Sequence, residues 1–132
     1  MTFSFEYIAR RIAKKIQDCF YSNTEFNISA LELKGMFSNN KCAYSGRTMS
    51  IDPTKDTLVT FERINPDLGY ISGNVCLVCK RANQQKAMLD AFYKDDFIPL
   101  EMKIKLMRKA LYQLEKKKWL STETRKTNSI TG

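Results

Sequence analysis

TLVTFERINPDLGYISGNVCLVCKRANQQK, residues Thr57 to Lys86, is the stretch whose reading decides the fold. Leu58, Val59, Thr60 and Phe61 form an apolar, β-branched run that predicts a strand ending at Glu62-Arg63. Asn65, Pro66, Asp67, Gly69 and Gly73 supply turn chemistry. Val75 to Val78 is too short and apolar for anything but a buried strand or a helix entry, and the spacing predicts a helix from about Cys79 to Tyr93. Glu62 at the strand end is a hard anionic ligand suited to Mg²⁺ or a similar cation, and Asn83 can add a neutral oxygen from the helix. Lys86, nearly one helical turn beyond Asn83, could meet a phosphate. Lys80 and Arg81 add positive charge at a helix start whose dipole already favours anions. Read singly, Glu62 and Arg63 would be surface residues and Asn83 would solvate a helix face.

Outward from this segment, residues 41–56 carry turn chemistry, with Cys42-Ala-Tyr-Ser45-Gly46 shaped as a knuckle and glycine where a tight loop needs it. Ser29-Ala-Leu-Glu32 is a capping-box pattern that opens a short helix over 29–37. Phe5, Ile8, Ile12, Ile16 and Phe20 recur at helical spacing and predict an amphipathic helix over 4–20. Arg10, Arg11, Lys14 and Lys15 fall mostly off that stripe and read as a solvated face, with phosphate contact as the other reading. Pro99 sits well in a first turn, and Leu100, Ile104, Met107, Leu111 and Leu114 make one stripe of a helix over 99–119. That helix is expected to pack on the first one or, alternatively, to form a dimer surface. The Ser/Thr-rich end, 121–132, reads as a disordered tail after a single domain spanning 1–120.

Lys and Arg number 22 against 14 acidic residues, a net charge of +8 that favours polyanions, nucleic acid first and an acidic protein second. No run of roughly 18 apolar residues exists to span a membrane. The amino-terminal residues lack the pattern of a secretory signal, so a cytoplasmic location is expected, in which Cys19, Cys42, Cys76 and Cys79 are reduced thiols or former metal ligands. The chain holds no histidine, so the commonest proton acceptor for hydrolysis is absent.

The ordered set Cys42-Ala-Tyr-Ser-Gly46, Glu62-Arg63-Ile64, Gly69-Tyr70, Gly73-Asn74-Val75 and Asn83-Gln-Gln-Lys86 resembles the ββα-metal core of HNH endonucleases, closest to phage-type members. The resemblance covers roughly residues 41–88. It implies an α+β fold with a central ββα-metal motif between amino- and carboxy-terminal helices. It also implies a nucleic-acid-binding protein acting as a divalent-metal-dependent DNA endonuclease, inside a host cell if phage-encoded. Carried over to this chain, the catalytic set is Glu62, Arg63, Asn74 and Asn83, with Glu62 and Asn83 holding Mg²⁺ or Mn²⁺ and Asn74 holding the loop beside the base. Arg63, Lys80, Arg81 and Lys86 would face nucleic acid. Arg63 stands where most relatives carry the histidine that activates water, and a guanidinium cannot accept that proton; Tyr70 or a hydroxide on the ion would have to substitute. The paired Cys-x-x-Cys knuckles of zinc-binding relatives are reduced here to Cys42…Ser45 and Cys79…Ala82, so structural zinc is not expected and Cys42 and Cys79 should pack as small hydrophobes. Cys76 is expected to point toward the core. The alternative function is a catalytically inactive HNH-fold protein that serves as a DNA-binding or protein-binding regulatory factor, its terminal helices docking a protein partner or a second copy.

Overall fold

The computed structural model describes residues 3–131, with side chains through Glu123. The architecture is mixed α+β, with helices α1 (Phe5–Tyr21), α2 (Ala30–Phe37), α3 (Lys80–Lys94) and α4 (Leu100–Thr131) and strands β1 (Phe26–Asn27), β2 (Val59–Arg63), β3 (Tyr70–Ile71) and β4 (Val75–Cys79). Two small sheets form, β1 parallel to β3 and β2 antiparallel to β4. The chain divides into two compact units, Met1–Asp90 and Ala91–Gly132. No helix among the described residues is long and apolar enough to cross a membrane.

In the first unit, β2 and β4 pair from Val59↔Cys79 to Arg63↔Val75, with Glu62 opposite Cys76. Because side chains alternate across a strand, this register sends Val59, Phe61 and Leu77 to one face and Thr60, Glu62, Cys76 and Val78 to the other. Both faces bury apolar side chains, Val59, Phe61 and Leu77 on the first and Val78 on the second. Val59 and Phe61 are buried with Leu33 and Phe37 of α2, Cys42 and Met49. Phe61 meets Phe37 edge-on at 5.7 Å, and Phe37 meets Phe3 the same way at 5.6 Å. Cys76 lies on the Glu62 face, half-buried and packed against the core cluster, so its expected inward position holds in part.

Helix starts follow the sequence closely. Ser4 and Ser29 cap α1 and α2, accepting from the N–H groups of Tyr7 and Glu32 at 3.2 Å each. The capping box is not reciprocal: the Glu32 carboxylate accepts from Ser72 Oγ at 3.1 Å instead of turning back to Ser29. At the start of α3 the backbone N–H groups of Lys80 and Arg81 donate to the carbonyls of Leu58 and Asp56 at 2.8 and 3.1 Å. That helix start is thus closed by the chain entering β2, and its first amides have protein partners instead of an anion.

The apolar stripe of α1 is rotated from its expected position. Ile8, Ile12 and Tyr7 pack on the core and Cys19 is buried, while Phe5, Ile16 and Phe20 are exposed. Arg11 and Lys15 turn inward with that face. The Arg11 guanidinium donates to the Val59 carbonyl at 2.8 Å, and the Lys15 ammonium lies 5.1 Å from the Tyr70 ring centre. Long cationic stems can lie on apolar surface while their heads reach polar groups, which a hydropathy pattern scores as solvation.

The two-residue pairing of β1 with β3 depends on Gly69. A Cβ there would come within 2.7 Å of Glu25 Cβ and 2.8 Å of the Glu25 carbonyl, whose oxygen accepts from Tyr70 N–H at 2.8 Å. Gly46 adopts φ +72° in the knuckle turn, the left-handed region that favours glycine.

In the second unit, Lys103 is buried and its ammonium donates to the Tyr93 carbonyl at 3.1 Å, closing the end of α3. Helix α4 continues to Thr131, past Trp119 where the sequence pattern ends it, so residues 121–131 are helical where a disordered tail is expected; Gly132 lies outside the described residues. No proline or glycine stands between Leu100 and Thr131 to stop it. Leu100, Leu111 and Leu114 of its apolar stripe are exposed.

Candidate metal and nucleic-acid site

Glu62 is only 7% exposed, and its Oε2 is buried without a hydrogen-bond partner. A buried carboxylate oxygen is costly to leave unpaired, so the group wants a proton or a cation. Burial accordingly pushes its carboxyl above the ordinary carboxylate range. The Lys86 ammonium opposes this shift, the Asp90 carboxylate adds to it, and the Arg63 backbone N–H and guanidinium oppose it again.

Asn83 reaches the same side of β2. Its Nδ2 donates to Thr60 Oγ1 at 3.0 Å and to the Phe61 carbonyl at 3.3 Å. With the amide nitrogen committed to β2, the Oδ1 is the end left to accept from a donor or bind a cation. Thr60 and Glu62 share a face by strand alternation, so Asn83 and Glu62 belong to one side of the hairpin.

Three residues of this neighbourhood were given no place beside Glu62 by the sequence. Asp90, also buried, accepts from the Lys86 ammonium at 2.7 Å. The Tyr44 hydroxyl is held well above its ordinary range by burial, by Cys76 and by the Glu62 charge. Cys76, opposite Glu62 in the sheet, has its thiol pushed up by burial, against a lowering hydrogen bond with Tyr44. Lys86 and Asp90 stand four apart on a helix, a signal that could have exposed their ion pair. Tyr44 and Cys76 arrive through loop placement and strand register, which leave no local mark.

Lys86 does not stand free for a phosphate. Its ammonium is mostly buried, bonded to Asp90 and to the Ile64 carbonyl at 3.2 Å. Arg81 is exposed and pairs with Asp56 at 3.2 Å, while Lys80 is half-buried at the helix start. Arg63 is separated from Glu62 by the alternation of β2. Its guanidinium lies 5.2 Å from the Tyr70 ring centre and donates to the Leu68 carbonyl at 3.3 Å. Tyr70 thus stands with Arg63 and Lys15, and Tyr44 is the tyrosine whose hydroxyl feels Glu62.

Asn74 organises the loop between the strands. It is buried, its Oδ1 accepts from Asn65 N–H at 2.8 Å, and its Nδ2 donates to the carbonyls of Gly69 at 2.9 Å and Asn65 at 3.1 Å. Beside the hairpin a shallow groove of about 610 Å³ runs past Tyr44, Ile64, Lys86 and Leu89.

The knuckle brings Cys42 to Cys79. Cys42 Sγ accepts from the N–H groups of Cys79 and Ser45 at 3.2 and 3.3 Å. Burial pushes its thiol up, but these bonds and those from the Ser45 side chain and the Tyr44 backbone outweigh it and hold the thiol at about 7. The Cys79 thiol is pushed the other way by burial and by Cys42. The pair is therefore a polar, hydrogen-bonded turn and more than two packed hydrophobes.

The donor set suits a hard cation that keeps most of its own shell. No cluster of three or more His, Cys, Asp or Glu that could hold a metal exists among the described residues. A cation at Glu62 and Asn83 would take one carboxylate and one amide oxygen from the protein, the sparse protein coordination that Mg²⁺ tolerates when water and substrate phosphate complete its octahedron. Comparisons with protein-family models, with curated proteins and with solved structures found no match for this chain.

Proposed function

We propose that this protein is an HNH-like nucleic-acid-binding protein that hydrolyses DNA phosphodiester bonds with one divalent ion, Mg²⁺ or Mn²⁺, held by Glu62 and Asn83. The observation that carries this reading is the buried Glu62 carboxylate with its unpartnered Oε2, on the side of β2 to which the Asn83 amide is anchored. Bound there, the ion would supply a more acidic water and neutralise charge on the phosphate. Asn74 fixes the loop that follows Glu62, and the Lys86–Asp90 pair sets the charge around it. Arg63 stays protonated and cannot act as the base, and its guanidinium rests on Tyr70, away from the Glu62 face.

Plasmid nicking with Mg²⁺ or Mn²⁺ tests the proposal. Wild type should cleave, whereas Glu62→Ala and Asn83→Ala should lose cleavage while keeping salt-sensitive DNA binding. Unchanged cleavage in both variants removes this site from consideration. A second reading, a DNA-binding relative without hydrolysis, is favoured by one observation: the residue beside Glu62 is an arginine turned to the opposite face. It predicts DNA binding with no cleavage under any divalent ion.

A further inference from the structure

The face of β2 opposite Glu62 carries a second concentration of positive charge that the proposed hydrolytic site does not use. Lys15 and Arg63 converge on one aromatic ring, their charged ends 5.1 and 5.2 Å from the Tyr70 centre. Lys15 also lies 5.9 Å from the Phe61 ring centre. Next to them, Arg11 is fixed by its bond to the Val59 carbonyl, and Arg11 also lies 5.9 Å from the Tyr7 ring centre. None of Arg11, Lys15 and Arg63 forms an ion pair among the described residues, although the exposed neighbours Arg10 and Lys14 each pair with a carboxylate on their own helix. A hollow of about 60 Å³ opens here, lined by Arg11, Lys14, Lys15, Asp18 and Phe61. Three cations face one carboxylate in it, and that carboxylate is shared with Lys14.

With one carboxylate against this many cations, the net charge here is positive and lowers the free energy of an anion that approaches. The aromatic rings hold the cationic ends in place without neutralising them. We propose that Arg11, Lys15 and Arg63, ordered on Tyr7, Phe61 and Tyr70, form a docking surface for the phosphate backbone of nucleic acid. This inference rests on the nucleic-acid reading above, but it concerns where the backbone sits and not whether it is cut. A strand held at this face would be anchored by α1, an element outside the region of HNH resemblance, and the surface would add affinity without sequence preference.

The test is fluorescence anisotropy of a labelled DNA duplex across a salt series. Each phosphate contact removed should lower the slope of log Kd against log salt by about 1. Lys15→Gln should lower it by about 1, and Arg11→Gln with Lys15→Gln by about 2, with weaker binding in both. Lys15→Arg should keep the wild-type slope. Lys15→Gln breaks no hydrogen bond to the rest of the chain, so it remains informative if the double variant does not fold. Glu62→Ala serves as the contrast, retaining the slope while losing cleavage. Wild-type slopes in both Gln variants, alongside Glu62-dependent cleavage, would overturn this surface and leave the hydrolytic reading standing. Absence of salt-dependent DNA binding by the wild type would overturn both. Displacement of the duplex by poly-glutamate at equal charge concentration would assign the surface to an acidic protein partner and also overturn it.

Discussion

The two faces of β2 handle charge in opposite ways. On one, Glu62 is a single buried carboxylate with one oxygen unpartnered. On the other, Arg63 and Lys15 are two cations resting on Tyr70 beside the buried core. Glu62 and Arg63 are neighbours in sequence, and a loop would have let them close on each other. A strand forbids this, because successive side chains point to opposite sides. The alternation keeps an anionic site able to take a cation and a cationic site able to take an anion within one strand's thickness. Placing acid and base next to each other at a strand end therefore serves to separate them.

The largest expected effect comes from breaking the apolar side of this division. Phe61→Ala removes the ring packed against Phe37 and should cost about 3–5 kcal/mol in urea or thermal unfolding. A loss below about 1 kcal/mol would mean that the core does not depend on this face. Asn74→Ala removes the three hydrogen bonds of a buried side chain that holds the loop between the strands and should cost about 1–3 kcal/mol. Gly69→Ala would drive a Cβ into Glu25 and should cost about 1–3 kcal/mol, read as a lowered unfolding midpoint.

The smallest effect sharpens the anionic side. Since burial raises the Glu62 carboxyl in the folded state, ionising it opposes folding. Its contribution to stability is full below the ordinary carboxylate range and is lost as pH rises through the raised folded value. In metal-free buffer, Glu62→Gln should unfold later than wild type at neutral pH, and the difference should shrink as pH falls through the raised folded value and be gone below about 4.5. Urea midpoints measured across this range give the answer. A variant less stable than wild type at neutral pH would mean that the carboxylate already has a strong partner in the folded chain.

The hairpin and the helix behind it were legible in residues 57–86, because β-branched runs, turn residues and helical spacing are local signals. Asn74 could be read locally as a turn residue after Gly73, while its role as the loop's organiser came from the HNH resemblance. What was not legible depends on where distant segments meet. Which side of α1 faces the core changed because Arg11 and Lys15 have partners on β2 and β3, and no pattern within α1 records them. Strand pairing was enough to turn Cys76 toward the core, but its place opposite Glu62 depends on the register. Tyr44 and Asp90 join the Glu62 neighbourhood from a turn and from two helical turns beyond Asn83, contributions that an ordered list of motifs cannot weigh. The pairing of β1 with β3 is two residues long and leaves no periodicity to read.

The most direct measurement is a crystal of the protein soaked in Mn²⁺ and examined for anomalous scattering. The account predicts a single peak bonded to Glu62 Oε2 and Asn83 Oδ1. A peak elsewhere, or none at a concentration that supports cleavage, would contradict it.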